Sequence, residues 1–90
     1  MKKVIIDSVN INNLDELHTL IAEKLDFPTY YGKNNDALYD CLTGDIELPL
    51  TVIWNNYYIT KEKLSDAIED VYLVFQQVAQ KESDFQVVVQ

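Results

Sequence analysis

Short runs of β-branched residues alternate along this chain with longer segments in which apolar residues recur every three or four positions. The runs at residues 3–6, 50–54 and 85–89 predict three strands. Strands joined by helical crossovers are parallel, and right-handed crossovers between neighbours place every helix on one face. The pattern therefore predicts an α/β fold. We expect one two-layer domain over residues 1–90, with a three-stranded parallel sheet in the order 1-2-3 and about four helices on one face.

The first helical segment has a start and a stop signal. Asn13 is in position to cap it, and Glu16 follows three residues later, as in a capping box. Pro28 closes the segment. Its apolar stripe consists of Leu14, Leu17, Ile21 and Leu25. His18 lies at the border of this stripe, and the chain has no second histidine to share a metal ion, so we expect His18 to be structural or exposed.

The longest helical pattern begins after Ser65, which we expect to serve as its N-cap. The apolar stripe of this helix consists of Ile68, Val71, Phe75 and Val78. Its first turns carry Asp66, Glu69 and Asp70. Acidic residues at the start of a helix and Lys81 near its end both suit the helix dipole. The preceding residues 57–63 fit either a short helix or a turn.

Another short helix is predicted between residues 34 and 44. Asn34 or Asn35 can cap its first turn, and Gly44 can take the left-handed conformation that ends a helix. At about 100° per residue the segment divides into two faces. The apolar face holds Ala37, Leu38, Cys41 and Leu42, and the polar face holds Asp36, Tyr39, Asp40 and Thr43. The apolar face is predicted to pack against the core.

The polar face of this helix carries charge that an isolated helix does not favour. Asp40 lies near the C-terminal end, where the dipole opposes an anion. It also lies one turn from Asp36, and like charges at that spacing cost roughly 0.2 to 0.5 kcal/mol. Two interpretations are open at this point: a solvated acidic face, or a surface that binds a cationic partner.

The charge of the whole chain favours a basic partner. The formal net charge is −8, from fifteen acidic residues against seven lysines, and the chain has no arginine. Residues 34–60 contain no basic side chain, so the acidic helix lies in a negative field. Nucleic acid is excluded as a partner, because neutralising phosphates requires clustered lysine or arginine.

Candidate catalytic groups are few. Cys41 is the only cysteine, it belongs to the apolar face, and the single histidine lies in another helix. Asp36 and Asp40 are too few to hold a hard cation without further ligands. No calcium, phosphate or zinc motif occurs, so we expect no metal and no cofactor. The apolar run that ends at Ile6 is too short for a signal peptide, and no stretch reaches transmembrane length. We expect a cytoplasmic protein without a membrane role.

The stretch just described carries a resemblance to a known family. Tyr30-Tyr31-Gly32, then Asn34, then the block from Asp36 to Gly44 closely resemble the barstar family, intracellular inhibitors of the ribonuclease barnase. Similar residues continue through the chain, including Pro28, Pro49, Leu50 and Trp54. The resemblance implies a protein that blocks a ribonuclease active site with its second helix and the loop before it.

The resemblance also implies roles for single residues. Asp40 would occupy the substrate phosphate site among arginine and histidine groups of the enzyme, Asp36 would pair with an arginine, and Tyr30 would pack on the catalytic histidine. Gly32, Asn34, Thr43 and Gly44 would line the contact. Three further contact positions depart from barstar: Tyr39 and Asp45 replace tryptophans, and Gln77 replaces a glutamate.

These observations predict an inhibitor or immunity protein, an antitoxin rather than an enzyme. Its expected partner is a basic, barnase-like ribonuclease of the extracellular type, bound in a 1:1 complex. The alternative is an acidic protein-binding module that recognises another basic partner, which the departures at Tyr39, Asp45 and Gln77 would favour.

Overall fold

Lys2–Asp7 (β1), Leu50–Asn55 (β2) and Phe85–Val89 (β3) form one parallel sheet in that order, with β2 at the centre. The computed structural model describes residues 2–90, and Met1, the first residue of the predicted domain, lies outside them. The predicted strand order and direction are confirmed. Each strand alternates between two faces of the sheet, as extended backbone requires.

Four helices connect and follow these strands: Leu14–Leu25 (α1), Asn35–Gly44 (α2), Tyr57–Leu64 (α3) and Asp66–Lys81 (α4). They cover one face of the sheet. On that face Ile6, Val52 and Trp54 are fully buried, whereas Ile5 on the other face is 54% exposed. The two-layer α/β architecture predicted from the sequence is therefore correct, and residues 57–63 belong to a helix.

The core forms where the helix stripes meet the covered face of the sheet. The predicted stripe of α4 is buried in full: Ile68, Val71, Phe75 and Val78. Trp54 packs edge-on against Phe75, with ring centroids 5.8 Å apart. In α1 the stripe is buried except at Leu14, which is exposed in the first turn. A first-turn residue extends past the neighbouring elements, so the helical period alone overestimated the buried stripe at this end.

The predicted N-cap of α1, Asn13, is confirmed, but Glu16 bonds to the residue before the cap and not to the N–H of Asn13, as a full capping box requires. The Asn13 side chain accepts the backbone N–H of Glu16 at 2.8 Å, and the Glu16 carboxylate accepts the N–H of Asn12 at 2.9 Å. At its end, Asp26 takes the left-handed conformation and its N–H donates to the carbonyl of Ala22. Local sequence therefore determines both ends of this helix.

One predicted helix signal is wrong, and a second is confirmed only in position. Gly44 is the last residue of α2 and does not have a positive φ, and Asp45 follows it as the C-cap with φ of −115°. Ser65 is the N-cap residue of α4, as predicted, but its side chain makes no cap bond, because its φ of 54° is far from the extended backbone of a normal N-cap. Ser65 is also the C-cap residue of α3, so its backbone conformation has to end one helix and begin the next.

Candidate functional site

The acidic helix α2 is held to the core by its apolar face. Leu38, Cys41 and Leu42 are buried, as predicted. Of the two candidate caps, Asn34 and Asn35, it is Asn34 that caps the helix: its side-chain oxygen accepts the backbone N–H of Ala37 at 2.8 Å. Because the buried face and the cap together fix the rotation of the helix, its acidic face is turned to solvent.

A groove of about 670 Å³ lies between α2 and α4. Its lining residues are Asn35, Asp36, Tyr39 and Asp40 from α2, and Asp70, Leu73, Val74 and Gln77 from α4. The groove thus combines three carboxylates with an apolar wall, where Leu73 is 49% exposed. Arginine and lysine have an aliphatic stem and a cationic head. Such a side chain fits this groove, with its stem against Leu73 and its head among the carboxylates.

The remaining predicted contact residues lie outside the groove, toward the two ends of α2. Tyr30, Gly32 and Asn34 precede the helix, and Thr43, Gly44 and Asp45 form its end. Tyr30 is 82% exposed, an unusual position for a large aromatic side chain. Four of the ten predicted residues thus share the groove, and the other six lie in the loop before α2 or at the end of the helix.

Two hydrogen bonds between nearby residues stabilise the end of α2. The Thr43 hydroxyl donates to the carbonyl of Tyr39 at 2.8 Å, and the N–H of Asp45 donates to the carbonyl of Cys41 at 2.9 Å. Burial raises the pKa of the Cys41 thiol to about 11, and a hydrogen bond with the Asp45 side chain adds to this shift. A thiol held protonated in this way is a poor nucleophile, which agrees with the predicted packing role.

The loop before α2 is anchored by Tyr31, the neighbour of exposed Tyr30. The Tyr31 ring is buried against Phe27, with centroids 5.1 Å apart, and its N–H donates to the carbonyl of Pro28 at 3.0 Å. The Tyr31 hydroxyl lies 2.7 Å from Nδ1 of His18. His18 is itself buried, so of its two expected roles the structural one is correct. The buried tyrosine therefore holds the loop while the adjacent one projects into solvent.

A lysine that is distant in sequence contacts the acidic face. Nζ of Lys81 donates to the Tyr39 hydroxyl at 3.0 Å and lies 5.7 Å from the centroid of the same ring. This hydrogen bond raises the pKa of Lys81 above its usual value. The side chain of Tyr39 is thereby held in one orientation at the edge of the groove.

The sequence interpretation did not identify Asp70, Leu73 and Lys81 as part of this surface. A signal for two of them exists: Asp70, Leu73 and Gln77 recur at intervals of three and four residues, so they share one face of α4. Lys81 carried no such signal, because its contact with Tyr39 spans 42 residues.

Within residues 2–90 no group of three or more histidine, cysteine, aspartate or glutamate side chains is placed to hold a metal ion. No helix in this part of the chain has the length and apolar character needed to cross a membrane.

A family model and a curated relative both match this chain over its full length. The family model described as Barstar (barnase inhibitor) matches residues 1–90. A protein of Bacillus subtilis (strain 168), named "Putative ribonuclease inhibitor YrdF", is 41% identical over 91 residues, which cover 100% of both chains. The sequence similarity extends over every strand and helix described above, including both sides of the groove.

Proposed function

This chain belongs to the barstar family, and we propose that it inhibits a basic ribonuclease by covering the enzyme's active site. The inhibitory surface consists of the groove between α2 and α4, the exposed loop residue Tyr30 and the end of α2. The observation that carries the proposal is the acidic groove itself, with Asp36, Asp40 and Asp70 around the exposed side chain of Leu73.

The charge of this surface complements the chemistry of an RNA-cleaving site. A ribonuclease binds phosphates with arginine and lysine, so its active site presents cations in a cleft. The acidic face of α2 offers carboxylates to the same cations. Asp40 lies in the second half of α2, nearer the end where the helix dipole disfavours an anion, and a cationic partner would supply the counter-charge that its own helix lacks.

The aromatic residues supply the apolar part of the contact. Tyr30 is held out by its buried neighbour Tyr31, and Tyr39 is oriented by Lys81. Tyrosine is enriched at interfaces because one end of the ring is apolar and the other bonds to water or protein. Inhibition of this kind is stoichiometric and requires no catalytic group, metal or cofactor from this chain. A 1:1 complex follows, because the chain has one such groove among its described residues.

A titration of enzyme activity tests the proposal. Increasing amounts of the protein are added to a barnase-type ribonuclease, and RNA cleavage is expected to fall to zero at one inhibitor per enzyme. Asp40→Ala should weaken inhibition at least about tenfold, because hydrogen bonds to charged groups contribute about 1.5 to 3 kcal/mol. Glu62→Ala, an exposed acidic residue on α3, is the matched control and should have little effect. Equal effects of the two substitutions would show that only total charge matters.

A second candidate function is an acidic module that binds another basic protein. The observation that favours it is the loss of two tryptophans and a glutamate at Tyr39, Asp45 and Gln77 relative to barstar. A pull-down with the immobilised protein distinguishes the two. Recovery of a ribonuclease supports inhibition. If the immobilised Asp40→Ala variant no longer captures that ribonuclease, the enzyme binds through the groove. Recovery of only non-nuclease basic proteins supports the alternative.

A further inference from the structure

The face of the sheet opposite the helices carries a row of exposed apolar side chains. The sheet register places Ile5 beside Ile53, and Ile53 beside Val88, so the three residues form one row across the strands. Ile5 is 54% exposed, Val88 is 42% exposed, and Ile53 is half-buried. All four helices lie on the other side of the sheet. This row, together with the strand residues on either side of it, is called the open face below.

The open face is the electrically neutral part of an acidic protein. Of the fifteen acidic residues, only Asp7 lies in a strand. Lys3 lies on the same face of β1, because residues 3, 5 and 7 alternate to one side. One positive and one negative charge therefore flank Ile5 at equal distances, about 6.6 Å along the strand in each direction. The strand residues of this face therefore add no net charge to the repulsion between two copies with net charge −8.

We propose that the open face associates with the same face of a second copy, about a two-fold axis that runs along the row of Ile5, Ile53 and Val88. This axis reverses the strand direction. Each residue of the row then lies against its own counterpart, and Lys3 of one copy lies against Asp7 of the other. The two pairs are identical by symmetry, which is the self-complementary arrangement that a two-fold dimer requires. Packed sheets lie about 10 Å apart, within reach of a lysine side chain.

The size of the open face indicates a weak dimer. Five residues on each of three strands cover about 17 Å by about 10 Å between the outer strand axes. Stable interfaces bury roughly 800 Å² on each partner, several times this footprint. The dimer is therefore expected to dissociate on dilution. Because the inhibitory groove lies on the helical side, both copies keep that groove accessible in the dimer.

Sedimentation equilibrium of the complete protein tests the proposal. At about 0.15 M salt, where charge repulsion beyond about 8 Å is screened, the average mass should rise with concentration from 10.4 kDa toward twice that value. Ile53→Asn should raise the dissociation constant at least tenfold. Ile59→Asn, the same change at an exposed position on α3, should leave it unchanged. A mass that stays at 10.4 kDa up to about 1 mM overturns the proposal.

The charge pairs allow a sharper test. Lys3→Glu and Asp7→Lys should each weaken self-association, because like charges then meet across the axis. An equimolar mixture of these two variants should restore it, because each mixed dimer regains two opposite-charge pairs. Lys2→Glu, on the neighbouring residue of the other face, is the matched control. Circular dichroism and the midpoint of urea unfolding verify that each variant is folded. Failure of the mixture to associate overturns the proposed two-fold axis.

Pairing between the edges of two β1 strands would also place Lys3 against Asp7. The substitution at Ile53 separates the two arrangements, because this residue lies in the central strand and takes no part in an edge contact. Unchanged association of Ile53→Asn overturns the face-to-face dimer. None of these outcomes depends on whether the groove inhibits a ribonuclease, since the two surfaces lie on opposite sides of the sheet.

Discussion

Nδ1 of His18 lies 2.7 Å from the hydroxyl oxygen of Tyr31. Both side chains are buried, and this contact joins α1 to the loop that presents Tyr30. Burial lowers the pKa of His18, with the nearby Asp15 carboxylate opposing the shift. The folded protein therefore prefers the neutral imidazole, and protonation of His18 acts on the contact that anchors the loop carrying Tyr30.

Stability should decrease as the pH falls below the ordinary histidine pKa of 6.5. The folded pKa of His18 lies below the unfolded one, so the unfolded state binds more protons between the two values, and protonation favours unfolding. The midpoint of urea unfolding, measured at pH values from about 7.5 to about 5.5, should fall in the wild type and stay nearly level in His18→Gln. Asp7, whose pKa is lowered from 3.8 by the Asn56 side chain, contributes only at lower pH. If the unfolding midpoint fell equally with pH in the wild type and in His18→Gln, the pH dependence would not come from His18.

Ser8→Ala should destabilise the protein by about 1 to 3 kcal/mol. The indole N–H of Trp54 donates to the Ser8 hydroxyl at 2.9 Å, and the same hydroxyl lies 2.6 Å from that of Thr60. All three side chains are buried, so the substitution leaves the indole donor without its acceptor. Urea unfolding followed by tryptophan fluorescence measures the change. Ser83→Ala, at an exposed turn, is the control, and an equal loss in both variants would refute the buried-network explanation.

Lys81 and Tyr39 should show a coupling energy of about 0.5 to 1 kcal/mol in a double-mutant cycle on unfolding. The hydrogen bond at 3.0 Å and the ring contact at 5.7 Å are both made at an exposed site, which limits their strength. The cycle uses Lys81→Met, Tyr39→Phe and the double variant. Tyr39→Phe removes only the hydrogen bond, so part of the Lys81→Met effect should persist in the phenylalanine background. Complete additivity would show that the two side chains do not interact in solution.

Asp70→Asn should weaken binding of a basic ribonuclease by a factor of about two to five, the range for a solvent-accessible charge pair. Asp70 lines the groove, whereas Asp66 lies one turn earlier on α4 and does not. Asp66→Asn is therefore the matched control, with the same loss of charge outside the groove. The effect of Asp70→Asn should shrink when salt is raised to about 1 M, where the screening length is about 3 Å. Equal affinities of the two variants would exclude Asp70 from the contact.

Local sequence was sufficient for the elements and their order. Helical and alternating periodicities are properties of neighbouring residues, so the stripe of α4 and the three strands were predicted within a residue or two of their observed bounds. Asn13 and Asn34 cap their helices for the same reason, since a cap bonds to a residue three positions away. Where the signal depended on surroundings, the sequence was less reliable: Gly44 does not take the predicted left-handed conformation, and Ser65 is the predicted N-cap residue but makes no side-chain cap bond.

The acidic helix was also found from sequence, because the spacing of Asp36 and Asp40 and the absence of basic side chains from residues 34–60 can be read directly from the chain. The groove beside that helix was not. Asp70 and Leu73 line it only because α4 packs against α2, and Lys81 contacts Tyr39 across a separation of 42 residues for the same reason. The sequence by itself determined which face of α2 is charged, since that depends on helical period. The tertiary structure alone decided what lies beside that face, since helix packing brings together residues that no local pattern connects.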